Sequence, residues 1–215
     1  MNWKTIKGYL KDFWNFLWNE DSVWSWMLNI IIAFVLIKFL IYPGIGLMLG
    51  TNLPVVAVIS ESMEHGGDFD KWWESPALCD DKNVARPCTQ GDWYTQNNIV
   101  KTQFQSYTMN NGFNKGDIIV LKGVTFDDLK IGDILVYQSK LSYPVIHRVV
   151  YKGDVIGTKG DHNQKQIIDA RLNEKYITKD QILGKAWIKI PYLGYVKIYF
   201  VEFITCITFN GCTFG

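Results

Sequence analysis

From Ser22 to Ile37 the chain carries no charged residue, and Met27–Ile37 reads Met-Leu-Asn-Ile-Ile-Ile-Ala-Phe-Val-Leu-Ile. Continued to Tyr42, the run is about twenty residues long. At 1.5 Å per residue that is enough helix to cross roughly 30 Å of hydrocarbon. Trp24, Trp26 and Tyr42 stand where interfacial aromatic belts form. Lys38 interrupts the run close to its expected end, where its ammonium can snorkel outward, and Pro43-Gly44 is expected to stop the helix. A cleavable leader would begin earlier, run shorter and end at a small-x-small site. The expectation is one transmembrane helix over residues 22–42.

Ahead of it, Trp3, Ile6, Leu10, Phe13, Phe16 and Leu17 recur near the helical period with Lys4, Lys7 and Lys11 between them. Residues 1–21 therefore read as an amphipathic helix resting on a membrane surface, with Ser22 capping the next helix. The lysines weigh toward a cytosolic N-terminus and an exported remainder. With 22 basic against 21 acidic residues, no nucleic-acid partner is expected. Four cysteines and three scattered histidines form no metal-ligand pattern, and neither a metal nor a cofactor is called for. Cys79 and Cys88 could pair in an oxidising compartment, although spacing alone does not define connectivity.

Beyond the anchor, Pro54 to Met63 reads Pro-Val-Val-Ala-Val-Ile-Ser-Glu-Ser-Met. Val55 to Ile59 has the length and β-branching of a buried strand, and it ends in two hydroxyl residues, Ser60 and Ser62. Residues 64–114 show no sustained period and are expected to be a long insertion with little regular structure, partly buried through its tryptophans and tyrosines. Lys115–Lys122 and Ile131–Tyr137 are near-copies, each a Gly-Asp turn followed by apolar residues. Tyr143–Tyr151, Val155-Ile156, Ile182–Ile190 and Val196–Phe200 supply further strands. The fold class expected is mainly β, an antiparallel sheet or barrel-like domain over 43–190, tethered by an N-terminal transmembrane helix. Residues 191–215 read as an apolar final strand or membrane-resting tail.

A serine attacks only when a base removes its proton. His147 interrupts the apolar strand Tyr-Pro-Val-Ile-His-Arg-Val-Val, and Asp161 sits in the turn Gly-Thr-Lys-Gly-Asp-His-Asn. Each alone has an ordinary explanation: a structural histidine, a tight turn. Together, Ser-x-Ser-Met, an apolar strand with His-Arg-Val-Val, and Thr-Lys-Gly-Asp-x-Asn, in that order behind a membrane anchor, resemble signal peptidase I of the archaeal and endoplasmic-reticulum type. The resemblance covers Ser22 to about Tyr195, apart from most of 64–114.

That resemblance implies a membrane-bound serine endopeptidase that removes signal peptides from exported preproteins through an acyl-enzyme. It implies Ser62 as nucleophile, His147 as general base and Asp161 as its supporting acid. Ser60 would assist the oxyanion, and Asp169 is a candidate second acid. Its partners would be preproteins and the bilayer, with a further protein partner for the insertion 64–114 left open. The location expected is the plasma membrane, single-pass, with the catalytic domain on the outer face. Glu61, His65 and His162 depart from the family's usual residues, and the insertion is far longer than the usual connection. Two other readings remain: a Ser–Lys peptidase using Lys122 or Lys159, and a non-catalytic β domain that binds exported proteins.

Overall fold

The computed structural model describes residues 3–81 and 84–195. The chain forms two compact units, 1–48 and 49–215. In the first, α1 (Trp3–Asn19) is followed by α2 (Val23–Leu36). Ser22 caps α2 by accepting from Ser25 N at 3.2 Å. The polar residues of α2 serve the carbonyl end of α1: Ser25 Oγ donates to Phe16 O at 2.7 Å and Asn29 Nδ2 to Leu17 O at 2.9 Å. These are the orphan carbonyls every helix C-terminus leaves.

The helix does not stop at Pro43-Gly44. It widens into a π turn over Ile37–Ile41 and continues as α3, Tyr42–Leu49. Proline has no N–H, and its ring strikes the carbonyl four residues back in a regular helix. The wider turn, in which Tyr42 N–H reaches Ile37 O, accommodates it. Val23–Leu49 is thus one helix of 27 residues, by length and composition able to cross a membrane.

The second unit is built on a six-stranded antiparallel sheet in which the strands lie side by side in the order Val55–Ala57, Ile118–Lys122, Ile182–Ile190, Ile134–Tyr137, Val145–Lys152, Ile156–Lys159. The strands are β1 (Val55–Ala57), β4 (Ile118–Lys122), β5 (Ile134–Tyr137), β6 (Val145–Lys152), β7 (Ile156–Lys159) and β8 (Ile182–Ile190). As expected of an antiparallel sheet domain, the strands pair antiparallel throughout; among the described residues the sheet is open, with β1 and β7 as its edges, and takes the sheet form rather than the barrel-like one. Among the described residues β1 pairs with β4 alone; the strand expected to be buried is half-buried, and Ile59 is exposed. The two near-copies fold alike. Gly116 and Gly132 take φ of 90° and 94°, and Asp117 and Asp133 each accept a backbone N–H three residues back. One core packs Val58, Met63, Phe113, Ile119, Leu121 and Val136; a second packs Leu135, Tyr137, Val149, Ile156 and Ile177.

The insertion is more regular than its sequence pattern indicates. It contains α4 (Phe69–Trp73), the hairpin β2–β3 (Pro76–Asp81 and Val84–Thr89), α5 (Gln90–Gln96) and α6 (Lys101–Gln105). Helices of five to seven residues make at most about two turns, too few to display a helical period, and each hairpin strand carries a proline, Pro76 or Pro87, which speaks against a strand. Their core is aromatic, made by Trp72, Trp73, Trp93, Tyr94 and Phe104. A disulfide joins Cys79 to Cys88 across the hairpin. The strand expected over 196–200 and most of the tail lie outside the described residues.

Candidate active site

Ser62 lies in the turn that follows β1. Its neighbour Met63 is fully buried in the core, and the Ser62 carbonyl accepts from His162 N at 2.8 Å. The residue is therefore held by packing on one side and by a backbone bond on the other. His147 lies within β6, opposite Leu135 of β5, and is 4% exposed. Its Nε2 is 3.0 Å from Ser62 Oγ, and Ser60 Oγ is 3.2 Å from the same hydroxyl.

The carboxylate on the far side of the imidazole is Glu174, whose Oε1 is 2.5 Å from His147 Nδ1. Glu174 has no exposed surface. Ile167 N donates to its Oε2 at 2.6 Å, and Thr158 Oγ1 lies 3.3 Å from Oε1. An acceptor at Nδ1 keeps the proton there, which leaves Nε2 free to accept from the serine. Sequence reasoning missed Glu174. The available signal was the extra length of the stretch after Gly160-Asp161, which moves the second acid from Asp169 to 174.

Asp161 does not support His147. Successive strand residues face opposite ways, so Arg148 points away from the side on which His147 meets Ser62, and it is Arg148 that takes the Asp161 carboxylate. Its Nε is 3.0 and 3.1 Å from the two oxygens, and its terminal nitrogen 2.7 Å from Oδ2. The remaining guanidinium protons go to the carbonyls of Thr108, Gly132 and Met109. Tyr94 OH (2.9 Å) and His65 Nε2 (3.0 Å) complete the shell. Burial alone would raise the carboxyl's pKa, but Arg148 and His65 together hold it well below the ordinary range. Asp169 is likewise elsewhere. It is exposed, and its Oδ1 accepts from Arg171 N and Leu172 N, closing the turn that brings Glu174 back.

Of the remaining sequence candidates, Lys159 is fully buried and bonds Gln90 Oε1 and the Gly160 carbonyl, while Lys122 is exposed. His162 meets the Glu64 carbonyl, and His65 stacks on Trp72 at 3.7 Å. Among the described residues the partners of Ser62 Oγ are His147 and Ser60. Gly160 has a steric reason to be glycine: a Cβ there would stand 2.9 Å from both His147 Nε2 and the Ser62 carbonyl.

The pair opens into a groove of about 410 Å³ between residues 53–60 and 141–147. Its walls are apolar, including Val56, Val58, Val136, Tyr143 and Ile146, and Ser60, Ser62, His147 and Asn163 bring its polar groups. A hydroxyl, an imidazole and a buried carboxylate in line, at the end of an apolar groove on an antiparallel sheet, make up the arrangement that serine hydrolases use.

No family model matches the chain. Over 107 residues it is 33% identical to the signal peptidase complex catalytic subunit sec11 of Sclerotinia sclerotiorum, covering 45% of this chain and 61% of that protein. The corresponding subunit of Colletotrichum graminicola is 32% identical over 108 residues, covering 46% of this chain and 62% of that one. Subunit SEC11C of Canis lupus familiaris is 30% identical over 103 residues, covering 43% and 53%. The resemblance to the endoplasmic-reticulum type of signal peptidase I is thereby shown. The chain spans about three-fifths of the length of the first curated relatives it matches. The expected plasma-membrane location is corrected, because these relatives are subunits of the eukaryotic signal peptidase complex of the endoplasmic reticulum membrane.

Proposed function

We propose that this chain is a membrane-tethered serine endopeptidase that cleaves signal peptides from preproteins, with Ser62 as nucleophile, His147 as general base and Glu174 as the residue that orients it. The observation that carries the reading is the line Ser62 Oγ, His147, Glu174, with contacts of 3.0 and 2.5 Å at the end of an apolar groove. The similarity to signal peptidase catalytic subunits supports the substrate class.

An extended peptide adds beside β1, at the edge of the sheet among the described residues, its backbone completing the ladder and its small apolar side chains entering the groove. Ser62 Oγ attacks the scissile carbonyl while His147 Nε2 takes the hydroxyl proton. Glu174 accepts from Nδ1–H and stabilises the imidazolium that forms. The Ser60 hydroxyl and the Ser62 N–H are the donors for the oxyanion, each such donor being worth ~3–4 kcal/mol of barrier. Collapse breaks the C–N bond, and His147 delivers its proton to the leaving amine. His147 then activates a water that attacks the acyl-enzyme and frees Ser62.

Val23–Leu49 would anchor the domain in the bilayer, with α1 lying along its surface. A membrane-held substrate makes such an anchor useful, since tethering replaces a search through solution. Because the relatives are named as subunits of a complex, further protein partners belong to the same proposal. The test is cleavage of a preprotein by the purified full chain. Ser62→Ala and His147→Ala should each abolish product while leaving the melting temperature within a few degrees. Cleavage that survives in Ser62→Ala would refute the mechanism.

A further inference from the structure

Among the described residues, none of 64–114 lines the groove. What this insertion touches instead is the segment 159–164, whose other side closes on the reacting pair. On that active side, His162 N holds the Ser62 carbonyl at 2.8 Å, and Gly160 packs against His147 Nε2. On the far side the insertion meets the segment at nearly every residue. Lys159 Nζ donates to Gln90 Oε1 at 2.7 Å and lies over the rings of Trp93 and Tyr94. Asp161 takes Tyr94 OH and His65 Nε2 on its carboxylate and Trp72 Nε1 on its carbonyl. The Asn163 carbonyl accepts from Gln90 Nε2 at 3.0 Å, and the Gln164 carbonyl from Leu78 N at 2.9 Å.

We infer that the insertion is an internal positioning module, and that Gln90 and Tyr94 are positioning residues that hold the segment 159–164 in register against Ser62 and His147. Gln90 is suited to the task because its one amide bonds both ends of that segment, to Lys159 and to Asn163. It is 1% exposed and opens α5, whose start is fixed by a capping box between Thr89 and Asp92. The hairpin leading into it is closed by the Cys79–Cys88 disulfide. Residues 160–163 form a turn with no ladder of their own, so their position is set by what they are pinned to. The pinning matters because a misplacement near 1 Å at reacting groups costs ~10²-fold in rate.

The inference rests on Ser62 and His147 being the reacting pair, and the experiment separates the two. Full-length protein in detergent micelles is compared with Gln90→Glu and Tyr94→Phe. Gln90→Glu keeps an acceptor for Lys159 but sets an oxygen against the Asn163 carbonyl; Tyr94→Phe removes one hydroxyl. Val84→Ser, at the exposed tip of the hairpin, is the control. Three quantities are read: kcat and KM on a preprotein, the rate at which a small phosphonylating reagent modifies Ser62, and the melting curve. Both variants should lose about tenfold or more in kcat and in the Ser62 modification rate, with KM within about twofold and a cooperative melt retained. Native rates in folded variants, or losses no larger than the unfolded fraction, would overturn the inference. If the native protein itself is not modified at Ser62, the assignment of the reacting pair falls with it.

Discussion

His147 and Arg148 are adjacent, yet they belong to different jobs. One faces Ser62 and Glu174; the other is sealed into a shell with Asp161. That division predicts different outcomes for the two acids. Glu174→Gln should lower kcat ~10²- to 10⁴-fold, because the neutral amide does not stabilise the imidazolium and has one acceptor oxygen for the two N–H groups of His147 and Ile167, with folding largely retained. Asp161→Asn should act first on stability: removing one partner of a buried ion pair typically costs ~3–5 kcal/mol. Urea midpoints and preprotein kinetics on the two variants distinguish the cases. Asp169→Asn should leave kcat unchanged, since its carboxylate only closes an exposed turn. Glu61 stands exposed between the two serines, and the structure shows no role for it.

At the scale of elements, short pieces behave differently from long ones. The antiparallel strands of the main sheet are legible because their apolar runs are bounded by Gly-Asp turns, and those turns do form. The short helices of the insertion are not legible because none exceeds two turns, and the hairpin is not because each of its strands carries a proline and little apolar alternation. Their order comes from five clustered aromatic rings and a disulfide. Breaking that bond with Cys79→Ser and Cys88→Ser should cost about 2–3 kcal/mol, as expected for a loop this short. The loss is read as a lower thermal or urea midpoint. Pro43 shows the opposite case, a strong local stop signal overridden by a π turn in a helix whose apolar length favours continuation.

For the molecule as a whole, the buried charges between insertion and sheet set the pH range of stability. Burial lowers His65 below its ordinary 6.5 despite the Asp161 carboxylate beside it. The unfolded chain therefore binds a proton more readily, and stability should fall as pH drops below about 6.5. Asp161, held below its ordinary 3.8, adds a second loss as pH drops further through that value. Burial also lowers Lys159, from 10.5 to about 7. Between those values the unfolded chain again holds the extra proton, so stability should rise with pH from about 7 toward 10.5. Melting temperatures measured from about pH 2 to 10 check all three signs, and His65→Gln should flatten the acid limb near 6.

The chain's local chemistry was sufficient to determine a membrane-length helix, an antiparallel sheet, and a serine and a histidine in the right order to meet. Each follows from residue type and short-range pattern: an unbroken apolar run, β-branched strands between turns, polar side chains in apolar surroundings. Which acid stands behind His147 was not determined there, because Asp161, Asp169 and Glu174 are all within reach in sequence. Strand alternation sends Arg148 to Asp161, and the turn at Asp169 brings Glu174 back. The use of the insertion was decided in the same way, by contacts with no counterpart in sequence spacing, such as Gln90 with Lys159 and Asn163. Side-chain geometry across distant segments is a property of packing, and only the tertiary structure contains it.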